Sequence, residues 1–311
     1  MTTAASVPST HGELEGDEAL DTLRATGRRR LIADAITRFR AADGFSHSRA
    51  LAFQVCLTLL PAIIALVGLA AALDQEAFAR VVRETIAELA PGAVGDILTE
   101  ALQQGTRSAR QETGETALTA GFIAALIAGT TALAQIERGA NRIYGVERDR
   151  PFLRKYLLAM VLTVTAGTLA MLSLVLLVAG TAVREAAGWS DGFDTAWAVI
   201  RWPLGLACVV GAVSLLFEVS PHRRQPEPSW LAFGGGVAAG LWLVFMACLK
   251  VYIDATESFG STYGPVAGTI GLLLWAFLSS VALFGGLAFA AQLEAVRAGV
   301  PAPRRDQEGE P

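Results

Sequence analysis

The sequence predicts an all-α membrane protein: a polytopic bundle of six transmembrane helices with short amphipathic helices at its interfaces. Three observations predict it. Charged residues make up only 17% of the 311, where a soluble domain carries about 25%. Apolar residues reach 53% without counting 31 glycines, and mean hydropathy is +0.45. Four long runs, 51–73, 116–136, 156–183 and 269–293, contain no charge at all. This composition excludes a disordered chain, a basic nucleic-acid-binding domain and an ordinary soluble enzyme.

A helix needs about 20 apolar residues, at 1.5 Å each, to cross about 30 Å of hydrocarbon. Six segments meet that requirement: 50–73, 116–136, 155–182, 197–218, 229–252 and 265–292. Together they define a transmembrane domain over 31–298, flanked by polar tails at 1–30 and 299–311 that read as disordered. The start of the chain, acidic between residues 11 and 21, has no apolar core of a signal peptide.

Orientation follows Lys and Arg, which accumulate on the cytoplasmic side of inner-membrane proteins. Counted over alternate connections, one side carries eighteen of the 25 and the other seven. The rich side includes Arg24, Arg28, Arg29, Arg30, Arg38, Arg40 and Arg49 before the first span, and Arg138, Arg142, Arg148, Arg150, Arg154 and Lys155 after the second. Both termini are therefore expected in the cytoplasm, and an even number of spans agrees in placing them on the same side.

Two connections have helical patterning of their own. Residues 31–45 place Leu31, Ile32, Ala35, Ile36 and Phe39 at helical spacing among arginines, the pattern of a helix on the inner leaflet. Residues 75–105 read as two outer amphipathic helices broken at Pro91-Gly92.

Within the spans, Gln54, Thr58 and Pro61 share one helix face, and Pro61 removes the backbone bond to Leu57, so a kink is expected there. Thr130, Ser214 and Ser279 sit at related depths. Lipid offers such groups no partner, so they read either as hydrogen-bonding glue between helices or as the wall and gate of a polar cavity open to the cytoplasm. The pairs Gly236/Gly240 and Gly264/Gly268, with Gly121, Ala125 and Gly129, signal close helix approach, within the chain or in a homo-oligomer.

No phosphate-cradling glycine loop, HExxH, GxSxG or intramembrane carboxylate pair is present. Cys56, Cys208 and Cys248 fall singly in apolar runs, and His11, His47 and His222 are far apart. No catalytic residue, metal or cofactor is expected. The expected partners are the lipid bilayer and a lipid or small-molecule substrate, not nucleic acid.

Several stretches, taken in order, resemble the YihY/BrkB-type bacterial inner-membrane proteins over about 30–298. Ala50-Leu51-Ala52-Phe53-Gln54 with Thr58-Leu59-Leu60-Pro61 is similar to the family's first span. Asn141-Arg142-Ile143-Tyr144-Gly145-Val146 followed by Arg150-Pro151-Phe152 is similar to its inner loop, and Pro221 with Arg223-Arg224 to a shorter one. Tyr263-Gly264-Pro265 with Leu273-Leu274-Trp275-Ala276-Phe277-Leu278-Ser279 is similar to the last span. The resemblance implies a six-helix bundle with both termini inside and a role in the cell envelope. It implies structural duties for Asn141, Arg142, Gly145, Pro151, Pro221, Tyr263, Gly264 and Trp275. Gly145 is expected to end the second span's helix at positive φ. Relatives commonly carry Glu and Asn late in the last span where this chain has Ala288 and Ala290. A ribonuclease name has travelled with the family, but no carboxylate or histidine constellation here suits metal-dependent RNA cleavage.

Two functions follow as expectations: an envelope transporter or lipid-handling protein with a cytoplasm-facing cavity, or a non-transporting scaffold acting through the outer helices at 75–105.

Overall fold

The computed structural model describes residues 3–10, 14, 16–72, 100, 103, 114–177, 191–255 and 267–304. Among them are eight helices: α1 (Gly16–Thr26), α2 (Arg28–Ala41), α3 (Gly44–Ala72), α4 (Gly114–Tyr144), α5 (Phe152–Leu177), α6 (Asp191–Val219), α7 (Pro228–Ala255) and α8 (Ala267–Arg297). The last six run 26 to 31 residues, so each is at least about 39 Å long. Among the described residues, five stretches, in α4 to α8, are long and apolar enough to cross a membrane. Helix α3 matches them in length and runs unbroken through Pro61. The expected outer helices at 75–105 lie outside the described residues, apart from positions 100 and 103.

The six long helices close into a ring. Each packs on the next in chain order, α8 returns to α3, and α8 also touches α4 across the ring. Short α1 packs on α7 and α8, and short α2 on α8. The chain segments on either side of the ring meet directly: Ala4 pairs with Arg304 in an antiparallel bridge, and the Ala5 N–H donates to the Pro303 carbonyl at 3.3 Å. Both tails therefore lie at one end of the bundle, the terminal end.

Burial is concentrated at that end. On α8 every side chain from Gly286 to Ala295 is buried, whereas Leu273, three turns earlier, is exposed. On α4 Ile136, Ala140, Ile143 and Tyr144 are buried, while Phe122, Ile123 and Ile127 are exposed. A helix apolar all round and buried all round, like the last part of α8, marks the centre of the core.

The tail assignment needs correction. Residues 16–26 form α1, and Ala4, Val7, Leu14 and Ala19 belong to the buried core. The tail was illegible because it contributes a few small side chains, spaced too widely to make an apolar run. Its order comes from hydrogen bonds to distant residues.

The glycine motifs also divide differently. Among the described residues, Gly236 and Gly240 have nothing within 4 Å of where a Cβ would stand. The close approach of α7 and α8 uses Gly234 and Gly286: a Cβ at Gly286 would lie 2.5 Å from the Ala238 Cβ, and one at Gly234 2.6 Å from the Ala290 Cβ. Ala288 and Ala290 are thus buried packing positions. Gly129 does mark a close contact, against Thr163 of α5. Gly264 lies outside the described residues.

Candidate functional site

The terminal end holds a network of buried charges. Arg38 starts it. It falls on the apolar face of α2 with Leu31, Ala35 and Phe39, all buried, because positions i, i+4, i+7 and i+8 share one helix side. Its side chain is fully buried, 0% exposed. Nε donates to Gln292 Oε1 at 2.8 Å, Nη1 to the carbonyls of Ala5 (2.7 Å) and Ile143 (3.1 Å), and Nη2 to that of Ala302 (3.3 Å). Every acceptor is neutral. Burial lowers its pKa to about 10, with Arg223 contributing and Tyr144 and Glu294 opposing; it remains a cation at neutral pH.

Glu294, also 0% exposed, is the network's buried acid. Arg223 grips it with two donors, Nη2 to Oε1 at 2.6 Å and Nη1 to Oε2 at 3.3 Å. Thr10 donates to Oε1 at 2.6 Å. The Arg223 guanidinium lies 4.6 Å from the centre of the Tyr144 ring, within cation–π range, and also donates to the Pro8 carbonyl at 2.8 Å. Gln292 completes the set by donating to the Pro301 carbonyl at 2.7 Å. Charge-assisted, two-pronged contacts of this kind fix geometry more tightly than neutral ones.

A second cluster ties the connection after α4 to that after α6. Arg150 donates to the carbonyls of Val219, Ser220 and Pro221 at 2.8–2.9 Å, placing a cation at the negative dipole end of α6. It also pairs with buried Glu137 at 3.3 Å. Asn141 bridges the same two connections: its amide donates to Asp149 Oδ1 at 2.7 Å, and its Oδ1 accepts from the His222 N–H at 2.7 Å. Lys155 holds the other Asp149 oxygen at 3.1 Å. Burial would raise the Asp149 pKa, but the Asn141 and Lys155 contacts outweigh it and hold the carboxyl below its ordinary range.

The family-type residues find places here. Gly145 has φ +68, its N–H donates to the Arg142 carbonyl and the Val146 N–H to that of Asn141, the two bonds of a Schellman stop. Residues 5 and 6 press on it. Pro151 stands just before α5, where its carbonyl accepts from Lys155 N–H at 2.9 Å, one position earlier than the first helical turn. Pro221 is buried and lends its carbonyl to Arg150. Arg142 is exposed, and Trp275 is half-buried on α8. Tyr263 lies outside the described residues.

The six intramembrane candidates sit on four helices, α3, α4, α6 and α8. The hydroxyls of Thr58, Thr130 and Ser214 donate to carbonyls one turn back on their own helices. Gln54 accepts from Thr131 at 3.1 Å, joining α3 to α4. Ser279 accepts from the Trp242 indole at 3.0 Å, joining α8 to α7. Pro61 is half-buried inside α3. Of the six, Gln54 and Ser279 bond across to a neighbouring helix, while the buried charges gather at the terminal end.

Arg38, Glu137, Tyr144, Arg150, Arg223, Gln292 and Glu294 were not singled out as site residues from sequence. A signal existed for some: Arg38 shares the apolar face of α2, and Glu294 follows Leu287 and Ala291 on one stripe of α8. A charge on an apolar stripe must find a partner.

This architecture is that of a multi-pass helical membrane protein. The family model described as virulence factor BrkB matches residues 35–310, and the chain belongs to that family. It is 27% identical over 260 residues to the ribonuclease-like protein YfkH of Bacillus subtilis, covering 82% of this chain and 92% of that one. It is 28% identical to UPF0761 membrane proteins of Azoarcus sp. and Stenotrophomonas maltophilia, over 80% and 90% of this chain. It spans 60% and 66% of those two proteins' own lengths. No solved structure matches it.

Proposed function

We propose that the protein is a transporter or lipid-handling protein of the bacterial inner membrane, with six spans, both termini in the cytoplasm and no enzymatic activity. The observation that carries this reading is the uneven packing of the ring. Its terminal end is welded by buried charges, while α4 and α8 bury far less beyond it. A bundle tied at one end is free to rearrange at the other, the asymmetry that gated passage requires. In this reading the charged network closes the cytoplasmic side, in place of the cytoplasm-facing cavity expected from sequence. The acids Glu137, Asp149 and Glu294 are each engaged by Arg or Lys, which supports structural roles for them.

The self-bonded hydroxyls of Thr58, Thr130 and Ser214 favour the second reading, a non-transporting envelope scaffold. Gln54→Leu and Pro61→Ala separate the two. For a transporter both variants accumulate normally, melt at or above the wild-type temperature and fail to complement a deletion strain. Full complementation by both well-folded variants overturns transport.

A further inference from the structure

Among the described residues, the two guanidinium groups at the terminal end, Arg38 and Arg223, have one bonded carboxylate between them, Glu294 on Arg223. The excess positive charge is answered by neutral backbone oxygens, and residues 4–10 supply the key ones: Ala5 O to Arg38 at 2.7 Å and Pro8 O to Arg223 at 2.8 Å. The same segment inserts Val7, 5% exposed, and Thr10. Its other bonds are Ala5 N–H to Pro303, Val7 N–H to Tyr144 at 3.1 Å, Ser9 Oγ to Arg224 O, and Thr10 Oγ1 to Glu294 at 2.6 Å. A fully buried guanidinium without a bonded carboxylate is an expensive arrangement. An oxyanion in place of the two carbonyls would neutralise it with charge-assisted, forked bonds that suit arginine.

We propose that residues 4–10 are an internal stand-in ligand: they plug a site, built from Arg38 and Arg223, that takes a phosphate-type oxyanion when the segment withdraws. Gln292 and Tyr144 wall this site. Glu294 sets its selectivity. With the carboxylate already bound to Arg223, one further negative charge balances the two guanidinium groups, which favours a singly charged phosphate. The segment and the anion compete for the same donors, so each weakens the other's apparent affinity in proportion to the closed fraction. The proposal does not depend on transport and stands equally for a scaffold.

The test uses the full chain in nanodiscs of phosphatidylcholine, with Cys56, Cys208 and Cys248 replaced by alanine. Residues paired across an antiparallel bridge lie about 4.5–5.5 Å apart, within reach of a disulfide, so Ala4→Cys with Arg304→Cys gives a segment that locks on oxidation and frees on reduction. Inorganic phosphate is the probe, with hydrogen exchange of residues 4–10 and thermal midpoint as readouts. Under reduction, phosphate speeds exchange of the 4–10 peptide and raises the midpoint; after oxidation both responses vanish. Val7→Glu, which ejects the segment by burying a charge, binds phosphate at least about tenfold more tightly than the unlocked wild type. Arg38→Gln loses the response; should that variant fail to fold, the oxidised-against-reduced comparison decides alone. Repeating the reduced arm in nanodiscs containing phosphatidic acid identifies the source. Release by the lipid without free phosphate assigns a headgroup site, and release by free phosphate assigns a soluble anion. No phosphate or phosphatidic acid response in the reduced protein overturns the proposal. So does an equal response in the oxidised one, or wild-type exchange at 4–10 as fast as a free peptide.

Discussion

Arg223 and Glu294, 71 residues apart in sequence, face each other inside the terminal end of the bundle, with Nη2 2.6 Å from Oε1 and Nη1 3.3 Å from Oε2. The pair joins the α6–α7 connection to α8, and through Thr10 and Pro8 to the N-terminal segment. Removing one partner leaves the other charge buried and unmatched, at a cost of about 3–5 kcal/mol. Glu294→Ala is expected to lower the thermal midpoint and folded yield strongly, and Glu294→Leu combined with Arg223→Met to recover much of the loss. Unfolding of the two singles and the double measures the coupling; strictly additive losses would show that the two charges do not depend on each other.

Gly286 and Gly240 are both helix-interior glycines with opposite surroundings. A methyl at Gly286 meets the Ala238 Cβ at 2.5 Å and the Gly234 carbonyl oxygen at 2.8 Å, so Gly286→Ala forces α7 and α8 apart, an overpacking cost of about 1–3 kcal/mol. Gly240→Ala meets nothing and gains helix propensity, so it should be neutral or stabilising by up to about 1 kcal/mol. Thermal unfolding of both variants checks the contrast, and equal effects would refute the α7–α8 contact.

Gly145 combines positive φ with a close neighbour, since a Cβ there would lie 2.7 Å from the Ser6 Cα. Gly145→Val is expected to cost at least about 1–3 kcal/mol through backbone strain and to loosen residues 4–10. Folded yield and hydrogen exchange of that segment report the two effects. Wild-type values of both would remove the turn and the contact together.

His47 accepts a hydrogen bond at Nδ1 from the Gln135 amide at 3.2 Å, which keeps that nitrogen unprotonated. Burial pushes its pKa below the ordinary 6.5, helped by Arg142 and Arg138 against Asp43 and Asp149. The unfolded chain therefore takes the proton first. The stability of the neutral ring is fully present above about pH 6.5 and is lost as the pH falls below that value. His47→Gln should flatten the decline between pH 7 and 5 seen in thermal midpoints. An unchanged slope in the variant assigns the decline elsewhere.

The sequence by itself determined the membrane class, the all-helical bundle, where the long helices lie, and the stop at Gly145. These are local properties: an apolar run too long for a soluble helix and a glycine free to take positive φ do not depend on distant residues. Only the tertiary structure decided which polar residues matter. Thr58, Thr130 and Ser214 stand out in a sequence because they interrupt apolar runs, yet each hydroxyl is satisfied by the preceding turn of its own helix. Arg38, Arg223 and Glu294 look like ordinary end charges until the fold brings positions 38, 223 and 294 together with residues 5, 8 and 10. The same holds for the tail, whose Val7 and Ala4 carry no periodicity and acquire order from partners at 144 and 303. Glycine followed this rule too. The Gly236/Gly240 spacing is a local pattern, but the contact formed at Gly234 and Gly286, because helix approach is set by which face the ring turns inward.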